Sequence, residues 1–403
     1  MECIGKVSRD GTYATPGAGA VKVAHVSDCY LPRLGGIERQ VHELAARQQQ
    51  AGHAVVVVTS AAGTGDDDAG PVPVVRPRSH PGSSPTRMRY EWTPRGSRAV
   101  VRGGFDVVHV HASSFSPLGF VTAAKTAAAG VPTAITVHSL WAGATPLFSA
   151  ADLLAGWGRW AVAWSAVSAA AARPLHQILG TDIPVSIVPN GVDPAQWRVT
   201  PAARPPGKVV IASVGRLALR KRPGPLLRML GEARSRLPSE VLLEAFLVGE
   251  GPMRRPLTGY LEAAGMEEWV HLTGAVSHTE LRDLYAGVDF YVAPATLESF
   301  GIAALEARCA GLPVIAHCDS GVSEFITDGK DGLLCGSDDA MTEAIVRLAS
   351  GDSPRAEMRE FARSIPPPVS WECVLDSTEQ LYLRAAEIAG AKGKRRSSSP
   401  LQG

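Results

Sequence analysis

The chain has 403 residues, a formal net charge of +1 and 45% hydrophobic residues. That length favours two domains with sizeable cores, and the balanced charge argues against a general nucleic-acid binder. Six cysteines (Cys3, Cys29, Cys309, Cys318, Cys335 and Cys373) form no C-x-x-C pair and read as reduced thiols of a cytoplasmic protein.

Residues 1–20 are polar and Gly-rich without an apolar run, so they read as a disordered leader and not as a signal peptide. Val21 to Val26 is a buried strand, Gly35-Gly36 a turn, and Ile37 to Gln50 a helix with apolar Ile37, Val41, Leu44 and Ala45. Gly52 stops that helix and Val55 to Thr59 forms a second strand. Continuous valine runs of this kind suit parallel strands covered on both faces. Between Gly63 and Pro85 the composition reads as an exposed loop, and Asp66-Asp67-Asp68 within it as solvated charge rather than a metal site. Arg87, Arg89, Arg95, Arg98 and Arg102, interleaved with Tyr90 and Trp92, fit equally a solvated face or a site for an anionic acceptor or membrane surface.

Two further strands follow, 106–111 and 133–138, the second ending at His138. His109 and His111 share one face of a strand, a spacing that could seed a metal site. No third ligand is evident, so structural roles are preferred. The apolar run from Trp160 to Ala172 is too short to span a bilayer and leaves peripheral membrane contact open. Residues 200–207 (TPAARPPG) read as a linker. A second βα series begins at Val209, with strands near Leu242–Gly249, Val270–Thr273, Phe290–Ala293 and Val314–Ala316. The expected organisation is a first domain at 21–200, a second at 208–366, a closing helix within 367–390 and a disordered basic tail at 391–403.

The segment Glu298-Ser-Phe-Gly-Ile-Ala-Ala-Leu-Glu306 is the most informative stretch. Gly301 opens a helix that stops at Gly311 and Pro313. The free N–H groups and dipole of a helix start favour phosphate. Along one helix, at 1.5 Å per residue, the two carboxylates would lie up to ~12 Å apart and roughly 80° around it. Arg216 and Lys221 follow the first strand of the second series, where two cations suit a diphosphate leaving group; neighbouring Arg220 and Arg222 read as solvated. Gly35-Gly36 lets backbone N–H groups approach a diphosphate but is no G-x-G-x-x-G, so a dinucleotide site is not supported.

Taken in order, Leu34-Gly-Gly-Ile-Glu38, Thr136-Val-His138, Pro189-Asn-Gly-Val-Asp193, Val214-Gly-Arg216 with Lys221, and ESFGIAALE resemble the retaining glycosyltransferases of family 4. The resemblance runs from about Val21 to about Glu372 and implies the GT-B fold, two Rossmann-like parallel α/β domains facing across a cleft. It implies that the last helix, about Trp371 to Ala389, returns to the first domain. It implies catalytic roles for His138, near the reacting sugar carbon, for Glu298 at the sugar hydroxyls, and for Arg216 and Lys221. Donor contacts fall to Gly35, Gly36, Gly249, Ala275, Val276, Ser299, Phe300, Gly301 and Ile302, with Glu306 at the ribose. Asn190-Gly191-Val192-Asp193 is carried over as a structural hinge segment. Ser320-Gly321-Val322-Ser323-Glu324 departs from relatives that carry two glycines there.

The expected activity is transfer of a hexose or N-acetylhexosamine from a nucleoside diphosphate sugar, uridine favoured and guanosine second. The acceptor would be a hydroxyl of an envelope glycan, a lipid or a natural product. No cofactor or required metal is expected, nor a nucleic-acid partner, and the location is cytoplasmic. A glycoside hydrolase also uses two carboxylates but has no need of Arg216, Lys221 and a Gly-Gly loop. A non-catalytic nucleotide-sugar binder is the remaining alternative.

Overall fold

The structure, a computed structural model, describes residues 19–33, 35–63, 71–76, 94–202 and 205–397. Leu34, the triplet Asp66–Asp68, Arg87, Arg89, Tyr90 and Trp92 lie outside them, and of Arg95 only the helical backbone is described. Arg98 and Arg102 are exposed on a helix. Two compact units result, with boundaries after Gly191 and after Trp371.

The first unit runs β1 (Lys22–Ser27), α1 (Gly36–Gln50), β2 (Ala54–Thr59), β3 (Val74–Val75), α2 (Pro94–Arg102), β4 (Val107–Ala112) and α3 (Pro117–Ala129). It continues through β5 (Thr133–Val137), α4 (Thr145–Ala155), β6 (Ala163–Ala166), α5 (Ala169–Leu179) and β7 (Val185–Ile187). The strands form one sheet, all pairs parallel, in the order β3-β2-β1-β4-β5-β6-β7. Every residue of β4 is buried, as the two-sided cover of a parallel strand requires. Val110, Ile135, Trp141 and Trp164 pack in one core cluster, and Val23, Val41, Val57 and Val107 in another.

Strand order reverses between β1 and β4, which makes the carboxyl end of β1 a switch point. Buried Asp28 closes it. Its two oxygens accept the Leu118 and Gly119 N–H groups at 3.1 and 3.0 Å, satisfying orphan donors at the start of α3. The last helix, α13 (Trp371–Ser397), belongs to this unit from Glu372 onward. It continues past Ala389, where the sequence reading ends it, because Gly390 is tolerated within a helix whose neighbours favour one.

The second unit contains α6 (Pro194–Trp197), β8 (Lys208–Val214), α7 (Pro223–Arg236), β9 (Leu242–Val248), α8 (Arg254–Ala264), β10 (Val270–Gly274) and α9 (His278–Ala286). Then come β11 (Phe290–Ala293), α10 (Ile302–Cys309), β12 (Val314–His317), β13 (Gly332–Cys335), α11 (Asp338–Ser350) and α12 (Asp352–Ser364). Its parallel sheet has the order β10-β9-β8-β11-β12-β13, with the reversal between β8 and β11. The unit begins at Val192, ahead of the Pro-rich 200–207 segment. The cause is Trp197, which is buried with its ring 4.9 Å from His278 and 5.9 Å from Tyr285. No described helix is long and apolar enough to cross a membrane.

One buried ion pair fixes α10. Arg308 donates from Nε and Nη2 to Asp331 Oδ2 at 2.9 and 2.8 Å and from Nη1 to the Ile365 carbonyl at 3.0 Å. Asp331 Oδ1 accepts the Thr327 N–H at 2.7 Å. With both side chains almost wholly removed from solvent, loss of one partner strands a buried charge. Asp331→Ala is expected to destabilise the protein by about 3–5 kcal/mol. Urea unfolding checks this; a change within the scatter typical of surface substitutions would show the guanidinium to be hydrated.

Candidate active site

In the second unit the sequence-derived site residues gather at the carboxyl ends of β8, β9, β10 and β11, the last flanking the switch point with β8. Tyr291 of β11 clamps the end of β8: its hydroxyl donates to the Val214 carbonyl at 3.0 Å and accepts the Val214 N–H at 3.2 Å. The chain then passes Gly215 and exposed Arg216 and turns through a 3-10 segment, Leu219–Lys221. Lys221 Nζ there forms an ion pair with Glu298 Oε2. These two residues, 77 apart in sequence, are brought together by the adjacency of β8 and β11.

Arg222 is not the solvated charge expected from the sequence. It donates from both terminal nitrogens to Asp338, at 2.8 and 2.7 Å, and to the Pro294 carbonyl at 3.1 Å. The Arg222 hydrogen bond and charge hold the Asp338 carboxyl below its ordinary range. Arg222 is also the described non-glycine residue with positive φ, at 55°. The bidentate pair holds this turn and so fixes where Lys221 leaves the backbone. Arg220 is exposed, as expected.

The helix opens at Gly301, as the sequence reading has it, and so cannot carry both glutamates. α10 starts at Ile302, so Glu306 lies on it and Glu298 in the preceding loop. The along-helix separation therefore does not apply; Gly301, at φ 89°, breaks the helical path between them. A Cβ on Gly301 would lie 2.5 Å from Val322 Cγ2. Gly321 packs on the same loop, where a Cβ would meet the Ser299 carbonyl oxygen at 2.3 Å, and its N–H donates to the Glu298 carbonyl at 2.9 Å. The 320–322 segment, whose departure from the family pattern carried no functional reading, thus shapes the 298–301 loop. Buried Phe300 anchors that loop against Phe325, while Ser299, Gly301 and Ile302 remain partly exposed at the helix start.

Glu306 is 8% exposed, with His278 Nε2 4.0 Å from its Oε1. Burial first, then the charges of Glu298 and Glu306, push the Tyr291 phenol well above its ordinary range and keep it neutral. One phenol therefore feels both carboxylates, although they do not share a helix. Gly249 closes on the end of β8: a Cβ there would lie 2.1 Å from the Gly215 carbonyl oxygen. Its N–H donates to the Gly274 carbonyl at 2.8 Å, which brings the exposed Ala275 and partly exposed Val276 beside the same edge. Sequence reasoning missed Tyr291 and His278; neither lies in a motif, and only the pairing of β8 with β11 and the packing of α9 reveal them.

In the first unit, Gly35 and Gly36 are exposed at the start of α1, where Glu38 crowds the space over Gly35 and pairs with Arg33 at 3.2 Å. His138 follows β5 and is partly buried. The third imidazole not evident beside His109 and His111 exists: it is His25 on β1, and the three offer ring nitrogens within 4.8 Å of one another. Strand pairing places His25 opposite His109. The rings are already engaged. His25 bonds His111 at 2.9 Å and Gln48 at 2.7 Å, and His111 bonds His138 at 3.0 Å. His109 bonds Tyr382 at 3.0 Å and Thr136 at 2.7 Å. Burial lowers His25 and His138 to about 4, with Gln48 and Asn190 hydrogen bonds opposing the shift, and burial followed by the neighbouring imidazoles holds His109 and His111 well below the ordinary range. All four are neutral at pH 7. The buried thiols of Cys29, Cys309 and Cys335 are pushed up to about 11, 12 and 11, chiefly by burial, and so are inert.

Two family models match this chain: Glycosyltransferase Family 4 over residues 34–196 and Glycosyl transferases group 1 over residues 200–365. Glycogen synthase of Mycobacterium tuberculosis is 27% identical over 397 residues, 87% of this chain and 92% of the synthase. D-inositol 3-phosphate glycosyltransferase of Corynebacterium jeikeium is 31% identical over 231 residues, 53% of this chain and 55% of the relative. Among solved structures, Anabaena HepE in complex with UDP-glucose matches with a TM-score of 0.66 at 18% identity, covering 90% of this chain and 99% of HepE.

The four imidazoles carry a pH dependence. Their folded pKa values lie below the unfolded value of 6.5, so under that pH the unfolded chain binds protons the folded chain refuses. Their contribution is complete above 6.5 and is lost as pH falls toward 4, at up to about 1.4 kcal/mol per pH unit for each imidazole. Urea midpoints are expected to fall more steeply over this window in the native protein than in His25→Leu. Equal slopes would show that the imidazoles are hydrated in the folded state.

Proposed function

The chain belongs to the family 4 glycosyltransferases, and from that membership we propose that it transfers a hexose or N-acetylhexosamine from a nucleoside diphosphate sugar to a hydroxyl acceptor, with retention of configuration. The observation that carries the reading is the pairing of Lys221 with Glu298 at the switch point, beside the free N-terminus of α10. A cation and a helix start suit a diphosphate, and a carboxylate suits sugar hydroxyls. Glu306, buried on the same helix, takes the ribose hydroxyls. Arg216 adds a second, exposed cation. Gly249, Ala275 and Val276 serve the nucleoside through backbone groups, and Ser299, Phe300, Gly301 and Ile302 serve the sugar and diphosphate. The same proposal assigns Gly35 and Gly36 to the diphosphate and His138 to the sugar.

Uridine is favoured as the base, in keeping with the UDP-glucose held by HepE. The acceptor is a hydroxyl of an envelope glycan, a lipid or a natural product, and the names of the two relatives favour a glycan or an inositol phosphate. With cations at the diphosphate, no divalent metal is required in this scheme. The departing phosphate oxygen takes the acceptor proton on the face from which it leaves, so no side chain need act as nucleophile. A hydrolase is the weaker reading, since it gives Lys221 and the start of α10 no anion to hold.

Two measurements test the assignment. Calorimetry with free UDP is expected to show at least tenfold weaker binding for Glu306→Ala, which loses two ribose hydrogen bonds worth about 1 kcal/mol each. Glu298→Ala should bind UDP as well as the native chain or better, because it releases Lys221 for the diphosphate. The reverse pattern would overturn the two roles. Separately, the anomeric proton coupling of the first-formed product is expected to match the donor's configuration, and an inverted product would sink the mechanism.

A further inference from the structure

The polar side chains behind His138 form one continuous chain, buried except at Tyr382 and His138, which are partly exposed, and its proton positions follow from what each partner can do. The Ile135 carbonyl only accepts, so the Ser165 hydroxyl donates to it at 3.2 Å. The Ser165 oxygen then accepts from Thr136 at 2.7 Å, and Thr136 accepts from His109 Nε2 at 2.7 Å. A neutral imidazole has one proton, so His109 Nδ1 accepts from the Tyr382 hydroxyl at 3.0 Å. Tyr382, kept neutral by burial, accepts in turn from Gln48 Nε2 at 3.1 Å. That orientation turns Gln48 Oε1 toward His25 Nε2, 2.7 Å away. An amide oxygen cannot donate, so His25 carries its proton on Nε2. His25 Nδ1 accepts from His111 Nε2 at 2.9 Å, and His111 Nδ1 accepts from His138 Nε2 at 3.0 Å. This one polarity satisfies every link at once.

We propose that this chain is a tautomer lock that holds His138 neutral with its proton on Nε2 and a lone pair on Nδ1. His25, Gln48, His109 and Tyr382 are its positioning residues. Gln48 and Tyr382 come from α1 and α13, so the lock ties two helices to four strands of the sheet. It gives a donor-side role to a cluster that otherwise resembles a metal site. Each of the three clustered imidazoles already uses both ring nitrogens, which leaves no lone pair for an ion without breaking the chain. His138 then offers a hydrogen-bond acceptor to a hydroxyl. The Asn190 hydrogen bond favours the charged ring, so the lock requires Asn190 to turn its amide nitrogen, and not its oxygen, toward His138. The consequence for chemistry rests on the proposed contact of His138 with the sugar. There it would take a hydrogen bond from a sugar hydroxyl and would not protonate the leaving group.

The test is nitrogen NMR on the full chain labelled with 15N-histidine at pH 7, with His138→Gln used to assign the ring. A protonated Nε2 and an unprotonated Nδ1 at His138 are expected. Tyr382→Phe removes one hydroxyl and little volume; it should turn the single tautomer into a mixture and lower kcat severalfold at an unchanged donor KM. Gln48→Leu should do the same by cutting the chain at the next link, and Gln48→Asn, if it folds, should restore neither fully. A proton on His138 Nδ1 in the native chain overturns the proposal. So does a tautomer unmoved in both Tyr382→Phe and Gln48→Leu, or stoichiometric zinc bound to the imidazoles of the purified protein. The spectrum reads the tautomer without turnover. A chain that shows the lock but transfers no sugar therefore refutes the functional reading and leaves the lock standing.

Discussion

The ion pair between Lys221 and Glu298 spans the line where the second sheet reverses its strand order, and the surrounding loops are built around it. Neither side chain is fully buried: 28% of Lys221 and 14% of Glu298 remains exposed. At this depth the pair is stronger than on a surface and still reachable by an anion. In the proposed reaction a diphosphate, carrying more charge than one carboxylate, would compete for Lys221 and release Glu298 to accept hydrogen bonds from hydroxyls. In the proposed reaction the resting ion pair thus marks where the two ends of a donor would exchange partners with the protein.

Holding two loops in contact demands close backbone approach, and glycines supply it. A Cβ at Gly249, Gly251 or Gly321 would sit 2.1, 2.3 or 2.3 Å from the carbonyl oxygens of Gly215, Leu217 and Ser299. Those are overlaps with backbone that no rotamer relieves. Segments 215–217 and 249–251 therefore pack on each other, as do segments 298–301 and 320–322. Arg222 contributes the opposite device. Its left-handed backbone is unfavourable by about 1–2 kcal/mol for a residue with a Cβ. Two charge-assisted hydrogen bonds to Asp338 offset that cost.

Much of this was legible in the sequence. Buried valine strands, turn glycines and the order of the motifs were enough for two parallel α/β units. Two kinds of feature were not. The first is local backbone path: Gly301 signals the helix start, but the turn of the 298–301 loop at its positive φ, which sets the two carboxylates apart, is not in the residue pattern. Positive φ and the tertiary clash of any Cβ with Val322 together explain why glycine stands there. The second is pairing across long separations. Arg222 reads as solvated until Asp338, 116 residues away, is beside it, and His25 is a lone strand histidine until β1 is laid against β4. Residue spacing carries period-2 and period-3.6 information; strand order is set by the whole sheet.

Two buried polar clusters, one in each unit, are satisfied in contrasting ways. The second buries charge and must pair it, as in Arg308 with Asp331, because an unpartnered ion would be driven out or neutralised. The first buries neutral rings and must pair their nitrogens, one donor to one acceptor, along an unbroken line. An ion pair tolerates displacement by another ion, which suits groups that hand a substrate from one partner to another. A neutral chain cannot be displaced link by link, since moving one proton reverses the demands on every neighbour. Lys221 and Glu298 are therefore suited to exchange, whereas His138, with His111 fixed behind it, is suited to stay the same at each turnover.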